Sequence, residues 1–132
     1  MTRRSGILIT STIVASWYGM MIVHEAGHIL AAWGTGSKID RIRLPWIGFS
    51  QTEISAYVNP SIVVAAGPMF GSALPMLIWV SVRRWPPAFL LRFFAGFCLV
   101  VNGGYMVSAI ARPSGDAEDL VALGVRPWVV GI

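Results

Sequence analysis

The sequence carries little charge for its length. Only 12% of its 132 residues are charged, against about 25% in a typical soluble domain, and 55% are hydrophobic. The mean hydropathy is +0.67. This composition excludes an ordinary soluble domain and favours a membrane protein. The length permits one domain, which we take to comprise residues 1–132.

Cysteine is almost absent and basic residues are few. The single cysteine, Cys98, excludes an intrachain disulfide. The net charge of +4 does not indicate nucleic-acid binding, because the sequence has no basic stripe on a polar surface to hold phosphates. The ten basic residues instead form short clusters between apolar runs, as in the loops that flank membrane helices. The expected surroundings are therefore a lipid bilayer.

Three apolar stretches are long enough to span a membrane. They cover about residues 6–33, 61–82 and 88–111, and a hydrocarbon core about 30 Å thick needs about 20 helical residues. The first is too long for the apolar core of a signal peptide, so it is interpreted as a retained helix. The C-terminal segment, about 117–132, is too short to span. We predict an all-α membrane protein with a compact core of three transmembrane helices.

The polar segment between the first two helices predicts a small β-hairpin. Arg41 and Arg43 alternate with Ile42 and Leu44, which is the period of a strand. Residues 45–48, Pro-Trp-Ile-Gly, are suited to a turn, and residues 49–57 then return as a second strand.

The chemistry-bearing motif is the run His24-Glu25-Ala26-Gly27-His28 in the first predicted helix. Two histidines four residues apart project from one helix face and can reach one ion, while Glu25, about 100° away, can face a water on that ion. This is the His-Glu-x-x-His arrangement of zinc peptidases. Ionisable groups deep in a membrane helix cost on the order of 2.5–3.5 kcal/mol each and usually mark function. The motif predicts a site for one Zn²⁺ ion.

A catalytic zinc site usually has three protein ligands and one open position, so a third ligand is needed. The first and third predicted helices run parallel, and the motif lies toward the C-terminal end of the first. Asp116 follows the exit of the third helix on that same side, and we favour it. Asp119 is its main rival, followed by Glu118. Alternatively, Asp116 caps a helix that begins near Ala117.

The sequence resembles the site-2 protease family of intramembrane metalloproteases, particularly its short members. The resemblance lies in the run from His24 to His28, in Ala66-Gly67-Pro68, and in an aspartate after the third helix. It implies that His24, His28 and Asp116 bind zinc and that Glu25 is the catalytic base and acid. The sequence departs from the family pattern where Asp116 precedes alanine rather than the common glycine, and where Gly71 stands at a frequent asparagine position.

Two asparagines, Asn59 and Asn102, are further candidates, for contacts to substrate or transition state. The alternative for each is helix-terminal or interhelical hydrogen bonding.

The expected function is zinc-dependent endoproteolysis of a membrane protein substrate, in or near its transmembrane segment. The alternative is a non-catalytic metal-binding membrane protein with a regulatory or structural role, whose ligands close a tetrahedral site. Basic residues do not predict the orientation of the chain in the membrane, because five fall on each side of the predicted spans. One side has Arg3, Arg4, Arg83, Arg84 and Arg92, and the other has Lys38, Arg41, Arg43, Arg112 and Arg126. The resemblance implies that the site opens toward the cytosol.

Overall fold

The structure is a computed structural model and describes residues 3–86, 88–108, 111–112 and 114–130. It confirms the prediction of a mostly helical protein with three long apolar helices and a hairpin between the first two. The elements, in chain order, are α1 (Arg3–Thr35), β1 (Lys38–Arg43), β2 (Gln51–Ala56), α2 (Pro60–Val82), α3 (Ala88–Ser108), α4 (Asp116–Ala122) and α5 (Pro127–Val130).

Helices α1, α2 and α3 are long and apolar enough to cross a membrane. They contain 33, 23 and 21 residues, and at 1.5 Å per residue even α3 is about 31 Å long, which matches the hydrocarbon core. Many large apolar side chains point away from the protein. In water these would be costly, whereas in lipid they are not. Examples are Ile7, Leu8, Ile22, Leu77, Phe89 and Val100.

The first helix begins three residues earlier and ends two residues later than predicted, and its end follows a glycine stop signal. Gly36 adopts a left-handed backbone with φ of 76°, and the N–H of Ser37 donates to the carbonyl of Ala32 at 2.9 Å. This pattern ends a helix at glycine. The third helix is described to Ser108, while its predicted end at 111 lies beyond residues 109 and 110, which fall outside the described residues.

Helix α2 lies between α1 and α3 and contacts both. Met20 and Met21 of α1 pack with Cys98 of α3 in one buried cluster. The short helices α4 and α5 pack on α2 through a second cluster, formed by Val64, Ala117, Leu120 and Val130. This second cluster holds the start of α4 beside the long helices.

The hairpin is antiparallel, with Ile42 paired to Thr52 and Arg43 paired to Gln51. Its connecting loop folds back along α1, where the Tyr18 hydroxyl donates to the carbonyl of Trp46 at 2.9 Å. Tyr18 lies about 25 Å along the helix axis from the end of α1. The loop therefore runs beside the membrane-spanning part of α1, and Trp46, 88% exposed, points away from the protein.

Close contact between α1 and α2 depends on Gly27. A Cβ there would collide with the carbonyl oxygen of Ala66 and lie 2.7 Å from the Cβ of Phe70. We expect Gly27→Ala to destabilise the protein by about 1–3 kcal/mol, the usual cost of overpacking. Thermal unfolding in detergent measures this. The matched control is Gly34→Ala in the same helix, where a Cβ meets nothing within 4 Å; equal melting temperatures for the two variants would contradict this account.

Candidate metal centre

The two motif histidines meet on the inner face of α1. One helical turn separates them, and their Nε2 atoms lie 3.2 Å apart. Both residues are buried, as is Glu25, which is 3% exposed. The potential ligand atoms of His24, Glu25 and His28 all lie within 4.8 Å of one another. The structure therefore has the grouping that the helical periodicity predicts.

Asp116, the first residue of α4, reaches both histidines. Its Oδ2 lies 2.9 Å from Nε2 of His24, and its Oδ1 lies 3.4 Å from Nε2 of His28. Glu118 and Asp119 are exposed, and within the described chain neither forms such a pair with a histidine. Of the three acids considered from the sequence, the structure brings Asp116 to the histidines.

Hydrogen bonds behind the rings fix which nitrogen of each histidine faces the centre. Nδ1 of His28 lies 2.8 Å from the carbonyl oxygen of Val63, which can only accept. Nδ1 of His24 lies 2.7 Å from Oδ1 of Asn102, whose amide nitrogen donates to the carbonyl of Cys98 at 2.9 Å. Both Nδ1 atoms therefore carry the hydrogen, and each Nε2 of a neutral ring turns a lone pair inward.

Three electron-pair donors thus converge at one point: two imidazole nitrogens and a carboxylate. Neutral rings with these tautomers offer no hydrogen between them, so a cation must balance the arrangement, either a proton or a metal ion. In metal-binding histidines, one ring nitrogen binds the metal and the N–H of the other nitrogen typically donates to an oxygen acceptor. The donor set fits a metal centre.

The ionisation of the acids also distinguishes Asp116 from Asp119. Burial favours the neutral form of Asp116. When a proton is the cation that balances the centre, hydrogen bonds and charge from the two histidines outweigh this burial and lower the pKa of the Asp116 carboxyl to about 2. Burial and the charges of Asp116 and Glu118 raise the pKa of Asp119. A carboxylate must be ionised to bind a metal, and the surroundings of Asp116 stabilise its ionised form.

Glu25 and the centre line a cavity of about 750 Å³. The hydroxyl of Thr52 in β2 donates to Oε2 of Glu25 at 2.5 Å, so the hairpin contacts the carboxylate directly. Aromatic side chains from α1, the hairpin, the segment before α2, and α3 form much of the remaining wall: Trp17, Phe49, Tyr57 and Tyr105.

The two candidate asparagines have different positions. Asn102 is 2% exposed, and both ends of its amide are hydrogen-bonded, to His24 and to Cys98. This is the interhelical alternative considered from the sequence. Asn59 is exposed before α2 and is not among the described residues that line the cavity, so its predicted substrate contact gains no support.

Several residues contact the centre although no sequence pattern predicts their contacts. Thr52 and the carbonyl of Val63 carry no local signal, because their contacts arise from packing between distant elements. Gly67 belongs to the Ala-Gly-Pro run, but the pattern did not predict what it contacts. A Cβ at Gly67 would collide with Nε2 of His28 and lie 2.8 Å from Nε2 of His24.

Fold and site together define a helical membrane protein with a peptidase-like candidate metal centre. A family model described as Peptidase M50B-like matches residues 7–102, more than half of the chain. The chain belongs to this family, in agreement with the resemblance to site-2 proteases. No curated protein and no solved structure matches it.

The choice of third ligand is tested by paired substitutions. We expect Asp116→Asn to lose the charge facing both histidines and to weaken zinc binding more than the 10–100-fold typical of losing a residue that only supports a ligand. Asp119→Asn should keep the wild-type affinity. Zinc affinity by chelator competition measures both. Retained binding in the first variant with loss in the second would assign the role to Asp119.

Gly67 should be required for the same centre. Its missing side chain leaves the inner nitrogens of both histidines accessible from α2. We expect Gly67→Ala to weaken zinc binding by about tenfold or more, since overpacking costs about 1–3 kcal/mol and 1.4 kcal/mol is a factor of ten. Gly96→Ala in α3, where a Cβ meets nothing within 4 Å, is the control. Unchanged zinc affinity in the Gly67 variant would refute this requirement.

Proposed function

We propose that the protein is a zinc-dependent intramembrane endopeptidase that hydrolyses a peptide bond in or near a transmembrane segment of a membrane protein substrate. The observation that carries the proposal is the convergence of His24, His28 and Asp116 beside the carboxylate of Glu25. Membership of the Peptidase M50B-like family supports the same reaction class.

The distances at the centre suit zinc. In a tetrahedral site with bonds of about 2.0–2.1 Å, neighbouring ligand atoms lie about 3.3 Å apart. The three measured separations, between 2.9 and 3.4 Å, are close to this value. The donor set of two imidazoles and one carboxylate also matches that of known catalytic zinc sites, which keep a further position open.

Each group at the site has a role in this reaction. Bound zinc would acidify a water and polarise the peptide carbonyl. Glu25 accepts the proton of the attacking water and delivers it to the departing amine, so the carboxylate is regenerated in each cycle. Thr52 holds Oε2 of Glu25, which leaves Oε1 to exchange the proton. Asn102 and the Val63 carbonyl fix the two imidazole rings.

The substrate must present an extended segment, because the peptide bonds of an intact helix are shielded and the hydrocarbon core lacks water. Strand β2 supports this requirement: Gln51, Thr52 and Ile54 line the cavity, and β2 is paired with β1 on one side only among the described elements. A segment added along its free edge would pass beside Glu25.

We assign the side of the membrane toward which the cavity opens to the cytosol on the family resemblance, since the basic residues are evenly divided between the two sides.

The role of Glu25 separates the endopeptidase from the non-catalytic alternative. A base is dispensable for metal binding, whereas a fourth ligand is not. We expect Glu25→Gln to retain one zinc per chain and to lower cleavage about 100- to 10,000-fold, the range that general acid–base catalysis contributes. Metal analysis and cleavage of a single-pass model substrate in vesicles measure the two effects.

The matched control is Glu118→Gln, which removes the charge of an exposed glutamate near the site that is not among the described residues lining the cavity. Both zinc content and cleavage should stay at the wild-type level. Loss of zinc from the Glu25 variant would instead indicate a closed four-ligand site and favour the non-catalytic function.

A further inference from the structure

We propose that Tyr105 is a positioning residue that presents Asp116 to the histidines. The inference rests on the zinc centre of the proposed function and concerns its metal affinity. Tyr105 lies near the end of α3, and its hydroxyl oxygen accepts a hydrogen bond from the backbone N–H of Asp116 at 2.8 Å. The same hydroxyl donates to the carbonyl oxygen of Ser114 at 3.0 Å. One side chain therefore holds the backbone on both sides of Gly115.

Among the described residues, no side chain of the preceding turn caps the start of α4. Gly115 precedes α4 and has no side chain with which to cap it. The Asp116 carboxylate faces the histidines, so it is committed there and not to its own helix. The N–H of Asp116 belongs to the first turn of α4 and has no partner inside that helix, and the hydroxyl of Tyr105 accepts its hydrogen bond.

Gly115 leaves room for the Tyr105 hydroxyl because it has no side chain. Its φ of 56° lies in the left-handed region. A Cβ there would collide with the Tyr105 hydroxyl oxygen and lie 3.3 Å from Cζ of the ring. Conformation and contact thus both require glycine at this position, and the hydroxyl fits directly against its backbone.

The hydrogen-bond pattern separates positioning from direct catalysis. A hydroxyl has one hydrogen, and that of Tyr105 is donated to Ser114, so it is not free to stabilise a developing oxyanion. The ring is fixed as well, with Phe49 of the hairpin loop stacked at 5.9 Å and His24 edge-on at 6.5 Å between centroids. Tyr105 acts on the reaction through the placement of Asp116.

The first experiment removes the hydroxyl and keeps the ring. We expect Tyr105→Phe to weaken zinc binding 10- to 100-fold, as does loss of other groups that orient metal ligands. Cleavage per bound zinc should stay near wild type at saturating metal. Tyr18→Phe is the control: it also removes a tyrosine-to-carbonyl hydrogen bond, to Trp46, and should leave zinc affinity unchanged.

A second pair of variants tests the same contact from the other side. Gly115→Ala and Gly124→Ala both place alanine at a positive φ, but at Gly124 a Cβ meets nothing within 4 Å. We expect zinc affinity to fall in the Gly115 variant and to be preserved in the Gly124 variant. This comparison remains informative if Tyr105→Phe fails to fold, because backbone strain is present in both alanine variants.

The outcomes are distinct. Wild-type zinc affinity in Tyr105→Phe would overturn the inference, and reduced cleavage per zinc in the same variant would assign the hydroxyl to the reaction itself. Equal loss of zinc from the two alanine variants would overturn it as well. A wild-type protein that binds zinc but cleaves nothing would refute the endopeptidase while leaving the effect of Tyr105 on metal affinity measurable.

Discussion

Two imidazole nitrogens and a carboxylate oxygen repel one another unless positive charge lies between them. Here they lie within 3.4 Å of each other in a buried position, where water screens such repulsion poorly. The surrounding residues therefore define a site for a cation, and the arrangement of the neighbouring elements is understandable as the means of holding these three groups together.

The supports of the three groups come from different parts of the chain. His24 is held by Asn102 of α3, and His28 is held by the backbone of α2. Both neighbouring helices therefore fix the tautomers of the two histidine rings on α1. The acceptors are a side-chain amide oxygen and a backbone carbonyl oxygen, which accept a hydrogen bond without adding a charge to the site. Gly67 lets α2 approach the inner nitrogens. The close approach of α1 and α2 thus brings together groups of the candidate metal centre.

Sequence patterns predicted what depends on local geometry. A four-residue spacing on a helix places His24 and His28 on one face, and hydropathy locates the three spans, because both follow from the helix repeat. The topology of parallel first and third helices pointed to Asp116. The contacts of Thr52 and Tyr105 were not predictable in this way, because a hydroxyl that bonds an element far along the chain leaves no periodic signal. The late end of α1 shows that a glycine stop outweighs the end of an apolar run.

The two histidines of the centre lie on a long helix, whereas Asp116 follows a short turn at the start of α4. The residues matched by the family model end at Asn102, so they include both histidines, Glu25 and Gly67, but not Asp116. The backbone spacing of the two histidines is set by α1 itself, and contacts from α2 and α3 hold their rings. The distance to Asp116 depends on a short turn and on a helix of seven residues, which has little stability of its own. The position of Asp116 therefore depends on what holds that turn and helix, namely the packing of Ala117 and Leu120 against α2 and the hydrogen bonds of Tyr105.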